Sequence, residues 1–169
     1  DVTSGYQNFR ITRYLEDGTV DPAFGNRSYR AGSNTNHYYY DTGRGVIVRD
    51  DGDILLVGRS SNAETFSLLR INTYGEVEVR HHTDVPGSSE IVNDILELPD
   101  GKLLVIGQSG SGSGEELAIS RHHFDGSLDT SFGTAGIVSL GVLNADDRGH
   151  RATLQPDGKI LVSGHSYNG

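Results

Sequence analysis

Cysteine, methionine and tryptophan are all missing from this chain of 169 residues. Without cysteine, neither disulfide bonds nor thiolate metal sites can contribute to the fold, and the redox compartment cannot be read from bridges. The chain also lacks a run of about 18 apolar residues and a signal-peptide core, so we expect it to be soluble and not to insert into a membrane. It starts at Asp1, which we interpret as a processed chain or a fragment of a longer one.

Positive charge is scarce as well. The chain carries 14 Lys and Arg residues against 23 Asp and Glu residues, which gives a formal net charge of -9. Nucleic acids and anionic membranes are bound by clustered Lys and Arg, so this balance argues against both as partners. We interpret the acidity as a property that keeps a glycine-rich protein in solution.

Helical signals are weak, whereas turn signals are frequent. Apolar residues make up 34% of the chain and glycine occurs 23 times. This composition favours short strands joined by many turns over helices. It therefore predicts an all-β fold.

Three hairpin sequences of one design recur along the chain. Each places an Asp-Gly pair between two apolar runs, which is a strong hairpin signal because Gly accepts a positive φ. They read VRDDGDILLVG around Asp51-Gly52, ELPDGKLLVIG around Asp100-Gly101 and LQPDGKILVSG around Asp157-Gly158, with offsets of 49 and 57 residues. Apolar runs such as Ile54–Val57 and Leu103–Ile106 predict a strand that is buried on both faces between neighbouring sheets.

A second repeated frame lies between the hairpins. It reads FRITRYLEDGTVD in residues 9–21, FSLLRINTYGEVE in residues 66–78 and LAISRHHFDGSLD in residues 117–129. Two frames with a common period of about 50 residues are typical of β-propeller blades. We therefore predict a single domain over residues 1–169 with an all-β, β-propeller-type repeat fold. It would contain three four-stranded units, near 9–65, 66–116 and 117–169, with half-units at the chain ends.

Three arginines occupy one position of this second frame. A period of two places Arg13, Arg70 and Arg121 on the apolar face of their strands, where a buried guanidinium needs a carboxylate partner. The predicted partners stand eight residues later in every unit: Asp21, Glu78 and Asp129. A second candidate column holds Asp41, Glu90 and Asp147. We predict one structural ion pair in each unit, and a ligand site built from the arginines is the alternative.

Histidines and acidic residues form no known metal motif. Histidines also occur as two adjacent pairs, His81-His82 and His122-His123. The two members of a pair point to opposite faces of a strand, so neither pair can chelate one metal from one face. The other histidines are isolated: His37, His150 and His165. Asp50, Asp51 and Asp53 offer oxygens to calcium without EF-hand spacing, and turn chemistry explains Asp51 equally well. We predict no metal and no cofactor, with calcium as the alternative.

The stretch NHYYYD in residues 36–41 departs most from the repeat. Clustered tyrosines combine apolar rings with polar tips, and they can stack on sugars or anchor a protein partner. The candidate ligand or partner loop is His37, Tyr38, Tyr39 and Tyr40, and the alternative role of these tyrosines is to cap the core. The sequence shows no catalytic triad order, Walker loop or dinucleotide fingerprint, so we predict that the protein is not an enzyme.

The stretches FDGSLDTSFGTAGIV and DDRGHRATLQPDGKILVSG, within residues 124–164, resemble the delta-60 repeat family. The first unit keeps EDGTVDPAFG and DDGDILLVG, whereas the second reads YGEVEVRHH and has lost the Asp-x-x-Phe-Gly step. The resemblance covers nearly the whole chain. It implies a β-propeller-like fold, found as repeated modules in large secreted or surface-anchored bacterial proteins, and it implies no catalytic residues.

Three units are fewer than the four to eight blades of a closed propeller. The half-units at the chain ends are complementary, so two copies could complete each other's blades and close a ring, or stack into a filament. Further repeats of a longer chain are the alternative partner. We therefore predict an extracellular or cell-surface structural or adhesion module that associates with itself. A lectin-like propeller that binds a glycan is the alternative function.

Overall fold

The computed structural model describes six stretches of the chain: residues 7–30, 41–60, 65–86, 90–110, 114–141 and 146–167. Twelve β-strands and no helix lie in these stretches. In chain order the strands are β1 (Phe9–Thr12), β2 (Asn26–Tyr29), β3 (Thr42–Val48), β4 (Ile54–Ser60), β5 (Thr65–Ile71), β6 (Val77–Thr83), β7 (Glu90–Glu97), β8 (Leu103–Ser109), β9 (Glu116–His122), β10 (Ile137–Leu140), β11 (Asp146–Leu154) and β12 (Ile160–Tyr167). The described residues accordingly include no helix that could cross a membrane.

The strands form four antiparallel sheets that follow one another along the chain. One four-stranded sheet has the order β3-β4-β5-β6, and another consists of β7 to β10 in the same arrangement. Among the described residues, β1 pairs only with β2, and β11 pairs only with β12. We call the large sheets the first and second full blade, and the strand pairs the N-terminal and C-terminal half-blade. The predicted all-β, propeller-type repeat fold is confirmed.

The blade boundaries are offset from the repeat units of the sequence. A full blade begins with an Asp-Gly hairpin and ends with the two strands of the following arginine frame, so the first full blade joins parts of the units 9–65 and 66–116. The two half-blades each contain two of the four strands of this pattern. β11-β12 correspond to the first two strands of a full blade, and β1-β2 correspond to the last two.

The Asp-Gly turns have the backbone geometry that their sequence predicts. Gly52, Gly101 and Gly158 have φ angles of 87°, 78° and 83°, in the left-handed region that favours glycine. The aspartate before each glycine closes the turn, because its Oδ1 accepts a hydrogen bond from the backbone N–H two residues later at 3.1 to 3.2 Å. The repeated aspartate therefore has a structural role in the turn.

Each hairpin also contains a β-bulge opposite the glycine that ends its apolar run. The ladder skips one residue of the first strand in every hairpin: Arg44, Asn93 and His150. Near these bulges stand Gly58, Gly107 and Gly164, where an added Cβ would collide with a backbone carbonyl oxygen of the partner strand. These glycines are therefore required by the close approach of the two backbones.

The second strand of each full blade lies at the centre of the core. Every residue of β8 is buried, and so is every residue of β4 except Arg59. One apolar cluster joins the two full blades and includes Leu55 and Phe66 from the first and Val92 and Val105 from the second. A second cluster joins the N-terminal half-blade to the first full blade, and a third joins the C-terminal half-blade to the second full blade. The prediction that the runs Ile54–Val57 and Leu103–Ile106 form strands buried on both faces agrees with the burial of β4 and β8.

Candidate functional site

The repeated arginines lie within ion-pair distance of the carboxylates eight residues later in all three units. The contacts are Arg13 Nε to Asp21 Oδ2 at 2.6 Å, Arg70 Nη2 to Glu78 Oε2 at 3.2 Å and Arg121 Nε to Asp129 Oδ2 at 2.8 Å. The turn aligns the two side chains, because the N–H of Asp21 donates to the Arg13 carbonyl at 2.9 Å. In the third unit, the backbone N–H of Asp129 donates to the Arg121 carbonyl at the same distance.

These arginines lie at strand ends and not inside the core. The exposed fraction of the side chain is 51% in Arg13, 25% in Arg70 and 21% in Arg121. The expectation of buried guanidinium groups is therefore wrong, because each arginine lies beside a turn, at or just after the end of its strand and beyond the central apolar residues. Each arginine also stands in a different blade with its own acidic partner, so the structure does not assemble the three into one ligand site.

A third charged group joins the pair in each full blade, and it comes from the residue after the Asp-Gly turn. In the first full blade, Asp53 Oδ2 lies 2.6 Å from Arg70 Nε. In the second, Lys102 Nζ lies 3.0 Å from Asp129 Oδ2. Hydrogen bonds from Ser131 and from Lys102 hold the pKa of Asp129 well below its ordinary value. The sequence offered a signal for this position that was not used, since a charged residue follows the Asp-Gly turn of each of the three repeated hairpins: Asp53, Lys102 and Lys159.

An aromatic ring covers each repeated arginine. In the first and third units the ring belongs to the Asp-x-x-Phe-Gly step, with Arg13 at 4.8 Å from the centroid of Phe24 and Arg121 at 4.7 Å from that of Phe132. The second unit has lost this phenylalanine, and Arg70 lies instead 4.1 Å from the ring of Phe124 in the next blade. Such cation–π contacts add to the ion pairs and orient the guanidinium groups.

The second carboxylate column lies at the junction between blades. Glu90 begins β7, and its Oε2 accepts the N–H of Phe66 in the first full blade at 2.9 Å, while Oε1 accepts the N–H of Val85 at 2.7 Å. Burial raises the pKa of Glu90 to about 7. Asp41 and Asp147, at the equivalent positions, are buried as well. Glu90 therefore links two blades, whereas the arginines contact the first column.

Two histidine contacts form that the sequence analysis did not predict. His150 Nε2 lies 2.8 Å from His165 Nδ1, although both residues were expected to be isolated. The bulge at His150 shifts the register of β11 and brings the two rings together. His122 is buried beside Ser120, with 2.8 Å between its Nε2 and Ser120 Oγ, and burial lowers its pKa. In the part of the chain that the structure describes, no group of three or more His, Cys, Asp or Glu residues could hold a metal ion.

Two further candidate regions from the sequence are the acidic cluster and the tyrosine loop. In the acidic cluster considered for calcium, Asp51 Oδ1 accepts the N–H of Asp53 at 3.1 Å, and the Asp53 carboxylate contacts Arg70. Turn geometry and ion pairing thus already use an oxygen of Asp51 and an oxygen of Asp53. The tyrosine loop of His37, Tyr38, Tyr39 and Tyr40 lies outside the described residues and stays a prediction.

The two half-blades expose surfaces that the full blades enclose. Leu161 of β12 is 56% exposed, whereas Leu55 and Leu104 at the equivalent positions are 0% exposed. Tyr14, just after β1, is 62% exposed, whereas the equivalent Ile71 is 0% exposed. In the full blades, Leu55 and Leu104 pack against the blade that follows, and Ile71 packs against the one that precedes. Among the described residues, neither a further blade nor the missing strands of the half-blades cover Leu161 and Tyr14. The free edges of β12 and β1 are therefore the candidate interaction surface.

Comparison with known sequences points to the same architecture. The family described as "Domain of unknown function (DUF5122) beta-propeller" matches residues 1–24, 98–132 and 155–169, which are less than half of the chain. The matched segments contain the first and third arginine frames and omit the second, which has lost the Asp-x-x-Phe-Gly step. No curated protein matches the chain.

A solved structure shares the fold. It is described as "Crystal structure of a protein of unknown function from Bacteroides caccae at 1.35 A resolution". The two chains are 17% identical with a TM-score of 0.53, and the similarity covers 89% of this chain and 44% of that chain. This chain thus spans less than half the length of that relative. The likeness concerns the fold, and with the family match it supports a β-propeller repeat architecture.

Proposed function

We propose that this chain is a non-catalytic structural or adhesion module of the delta-60 repeat type, which acts outside the cell and associates with further copies through its half-blades. The complementarity of the half-blades carries the proposal. β12 corresponds to β4 and β8, and β1 corresponds to β5 and β9. In both full blades these two strands are neighbours. Pairing β12 with β1 of a second copy therefore builds a four-stranded blade in the order of the full blades.

The physical chemistry of the free edges favours such pairing. An open sheet edge presents backbone N–H and C=O groups to which an added strand can bind. The open surface is also apolar at Leu161 and Tyr14, and burying a large apolar side chain stabilises a complex by about 1.5 to 3 kcal/mol. In a longer array, further repeats of the same chain would bind these edges in the same way.

Two assemblies pair the free edges of β12 and β1 between copies. Two copies joined at both half-blades would form a ring of six blades, within the four to eight blades of known propellers. Copies joined in one direction without closure would form a fibre. The extracellular location and the adhesive role rest on the resemblance to delta-60 repeats, whose modules occur in large secreted or surface-anchored bacterial proteins.

Sedimentation velocity of the purified 169-residue chain tests this association. The chain has a mass of 18.2 kDa, so a ring would sediment as one species of twice that mass, and a fibre would give a broad distribution. Negative-stain electron microscopy would separate the two forms by shape. A chain that stays monomeric at every concentration it reaches in solution would contradict the proposal.

A further inference from the structure

We propose that Lys159 of one copy forms an ion pair with Asp21 of the next copy, inside the composite blade that two half-blades build. This inference rests on the proposed self-association, and it names the contact that sets its register. The occupant of the free edge of β12 is thus a second copy of this chain, bound through β1.

The register of the composite blade follows from that of the full blades. In both full blades the leucine three residues after the turn glycine lies opposite the repeated arginine: Leu55 opposite Arg70, and Leu104 opposite Arg121. Leu161 holds this position in β12, and Arg13 is the repeated arginine of the N-terminal half-blade. The repeat therefore places Leu161 opposite Arg13 of the second copy, next to Lys159.

Lys159 has the local geometry of Lys102, but the described residues give it no second acidic partner. These two residues are the only lysines in the sequence, and both directly follow an Asp-Gly turn. Lys102 Nζ lies 3.4 Å from Asp100 of its own turn and 3.0 Å from Asp129 in the arginine frame. Lys159 contacts Asp157 of its own turn, and its side chain is 75% exposed, against 29% for Lys102.

The N-terminal half-blade presents the matching acceptor. Asp21 is the equivalent of Asp129, and Arg13 binds it as Arg121 binds Asp129. The lysine that completes the network of Asp129 comes from the turn before the neighbouring strand β8. In the N-terminal half-blade, the described residues place no strand at that edge of β1. β12 of a second copy would bring Lys159 to this position.

Neutralising Asp21 tests the contact while preserving the local turn. Asp21→Asn keeps the side-chain oxygen that accepts the N–H of Ala23 at 2.8 Å. It leaves Lys159 of one copy facing Arg13 of the next without a carboxylate between them. We expect the Kd of self-association, measured by sedimentation equilibrium, to rise about tenfold or more.

Glu78→Gln is the matched control, because it neutralises the equivalent carboxylate inside the first full blade. There Asp53 still binds Arg70 at 2.6 Å, and neither half-blade is altered. The Kd of this variant should equal that of the wild-type chain. A comparable rise of the Kd in both variants would assign the effect to the net charge of the chain, and it would overturn the specific contact.

A compensating substitution separates the contact between copies from a folding defect. Lys159→Asp would place an acid beside Arg13 of the next copy, which reproduces the contact of Asp53 with Arg70 in the first full blade. The double variant Asp21→Asn, Lys159→Asp should therefore return the Kd to within about threefold of the wild-type value. Lys159→Asp alone should also stay close to wild type. A local defect around Asp21 would not be repaired from residue 159 in the other half-blade.

The outcomes distinguish this inference from the proposal on which it rests. A wild-type chain that stays monomeric overturns self-association and the contact together. A wild-type chain that associates, with an unchanged Kd for Asp21→Asn, overturns the contact alone. A loss of association that Lys159→Asp does not restore overturns the register deduced from the full blades.

Discussion

The guanidinium of Arg70 lies 4.1 Å from the ring centroid of Phe124, and Arg49 lies 4.0 Å from the same ring. Phe124 follows β9 in the second full blade, whereas Arg70 belongs to β5 and Arg49 follows β3 in the first. The other two repeated arginines stack on a phenylalanine of their own unit, which the second unit has lost. The neighbouring blade thus supplies the missing ring, and this contact connects the two full blades.

Phe124→Leu should destabilise the protein by about 1 to 3 kcal/mol. The substitution removes two cation–π contacts and leaves unfilled space at the blade junction. Urea unfolding followed by circular dichroism measures the change in the free energy of unfolding. Tyr74→Leu is the control, because Tyr74 lies exposed in the corresponding turn of the preceding unit and should change the free energy by less than about 0.5 kcal/mol. Equal effects of the two substitutions would contradict a connecting role for Phe124.

Arg70→Leu should cost about 1 to 3 kcal/mol of stability, because it leaves Asp53 and Glu78 facing each other without a cation. The comparison variant is Arg13→Leu, measured at a protein concentration below the Kd of self-association, where it removes the same type of side chain from a more exposed pair. It should cost less than about 1 kcal/mol. Thermal unfolding of both variants measures the difference, and an unchanged melting temperature for Arg70→Leu would rule out a structural ion pair.

The buried carboxyl of Glu90 should make stability depend on pH near neutrality. Its pKa is raised from 4.5 to about 7, first by burial, although the N–H groups of Val85 and Phe66 oppose the shift. Between these two values the folded state binds more protons than the unfolded state. The free energy of unfolding should therefore fall as the pH rises from about 4.5 to 7, and this contribution should level off above that range.

Comparison with Glu90→Gln isolates this contribution, because glutamine does not titrate. Between pH 5 and pH 8 the wild-type chain should lose about 2 kcal/mol more of its unfolding free energy than the variant does. Urea unfolding at several pH values measures both slopes. Parallel slopes would show that Glu90 titrates in the folded protein as it does in the unfolded chain.

The Asp-Gly hairpins could be predicted from the sequence because their geometry is local. Gly52 needs its positive φ, and the Asp51 carboxylate closes the turn within the same few residues. The contact of each arginine with the carboxylate eight residues later depends on a similar short turn. The blade boundary could not be predicted in this way, because a repeating sequence can be divided into units at any strand. Only the observed pairing of β4 with β5 shows that one sheet contains strands of two sequence units.

The contacts that sequence analysis missed join distant parts of the chain. Asp53 meets Arg70 through pairing of two strands, and Phe124 meets Arg70 through stacking of two blades. His150 and His165 meet because a bulge displaces one residue of β11, and a simple alternation of side chains gives no sign of it. A charged residue after the Asp-Gly turn of each repeated hairpin was the one signal that pointed to the third member of the network. Its sign differs between Asp53 and Lys102, which hid the shared position.

The composite blade also makes a prediction about cross-linking, which the absence of cysteine allows to be tested cleanly. In the full blades Ser60 lies opposite Thr65 and Ser109 lies opposite Glu116. The equivalent residues of the half-blades are Ser166 and Asn8. A chain carrying Asn8→Cys and Ser166→Cys should therefore form disulfides between copies under mild oxidation, because directly opposed strand residues lie within the reach of a disulfide.

The pattern of cross-linked products distinguishes the two assemblies. On a non-reducing gel, a ring of two copies should give a covalent dimer alone, whereas a fibre should give a ladder of increasing mass. Asn8→Cys with Ser163→Cys is the control, because Ser163 lies three residues from the predicted register, about 10 Å along the strand and on the other face. Equal yields from the two variants would mean that the cysteines meet by random collision. A high yield from the Ser166 variant alone would require β12 to pair with β1 of another copy in the register of the full blades.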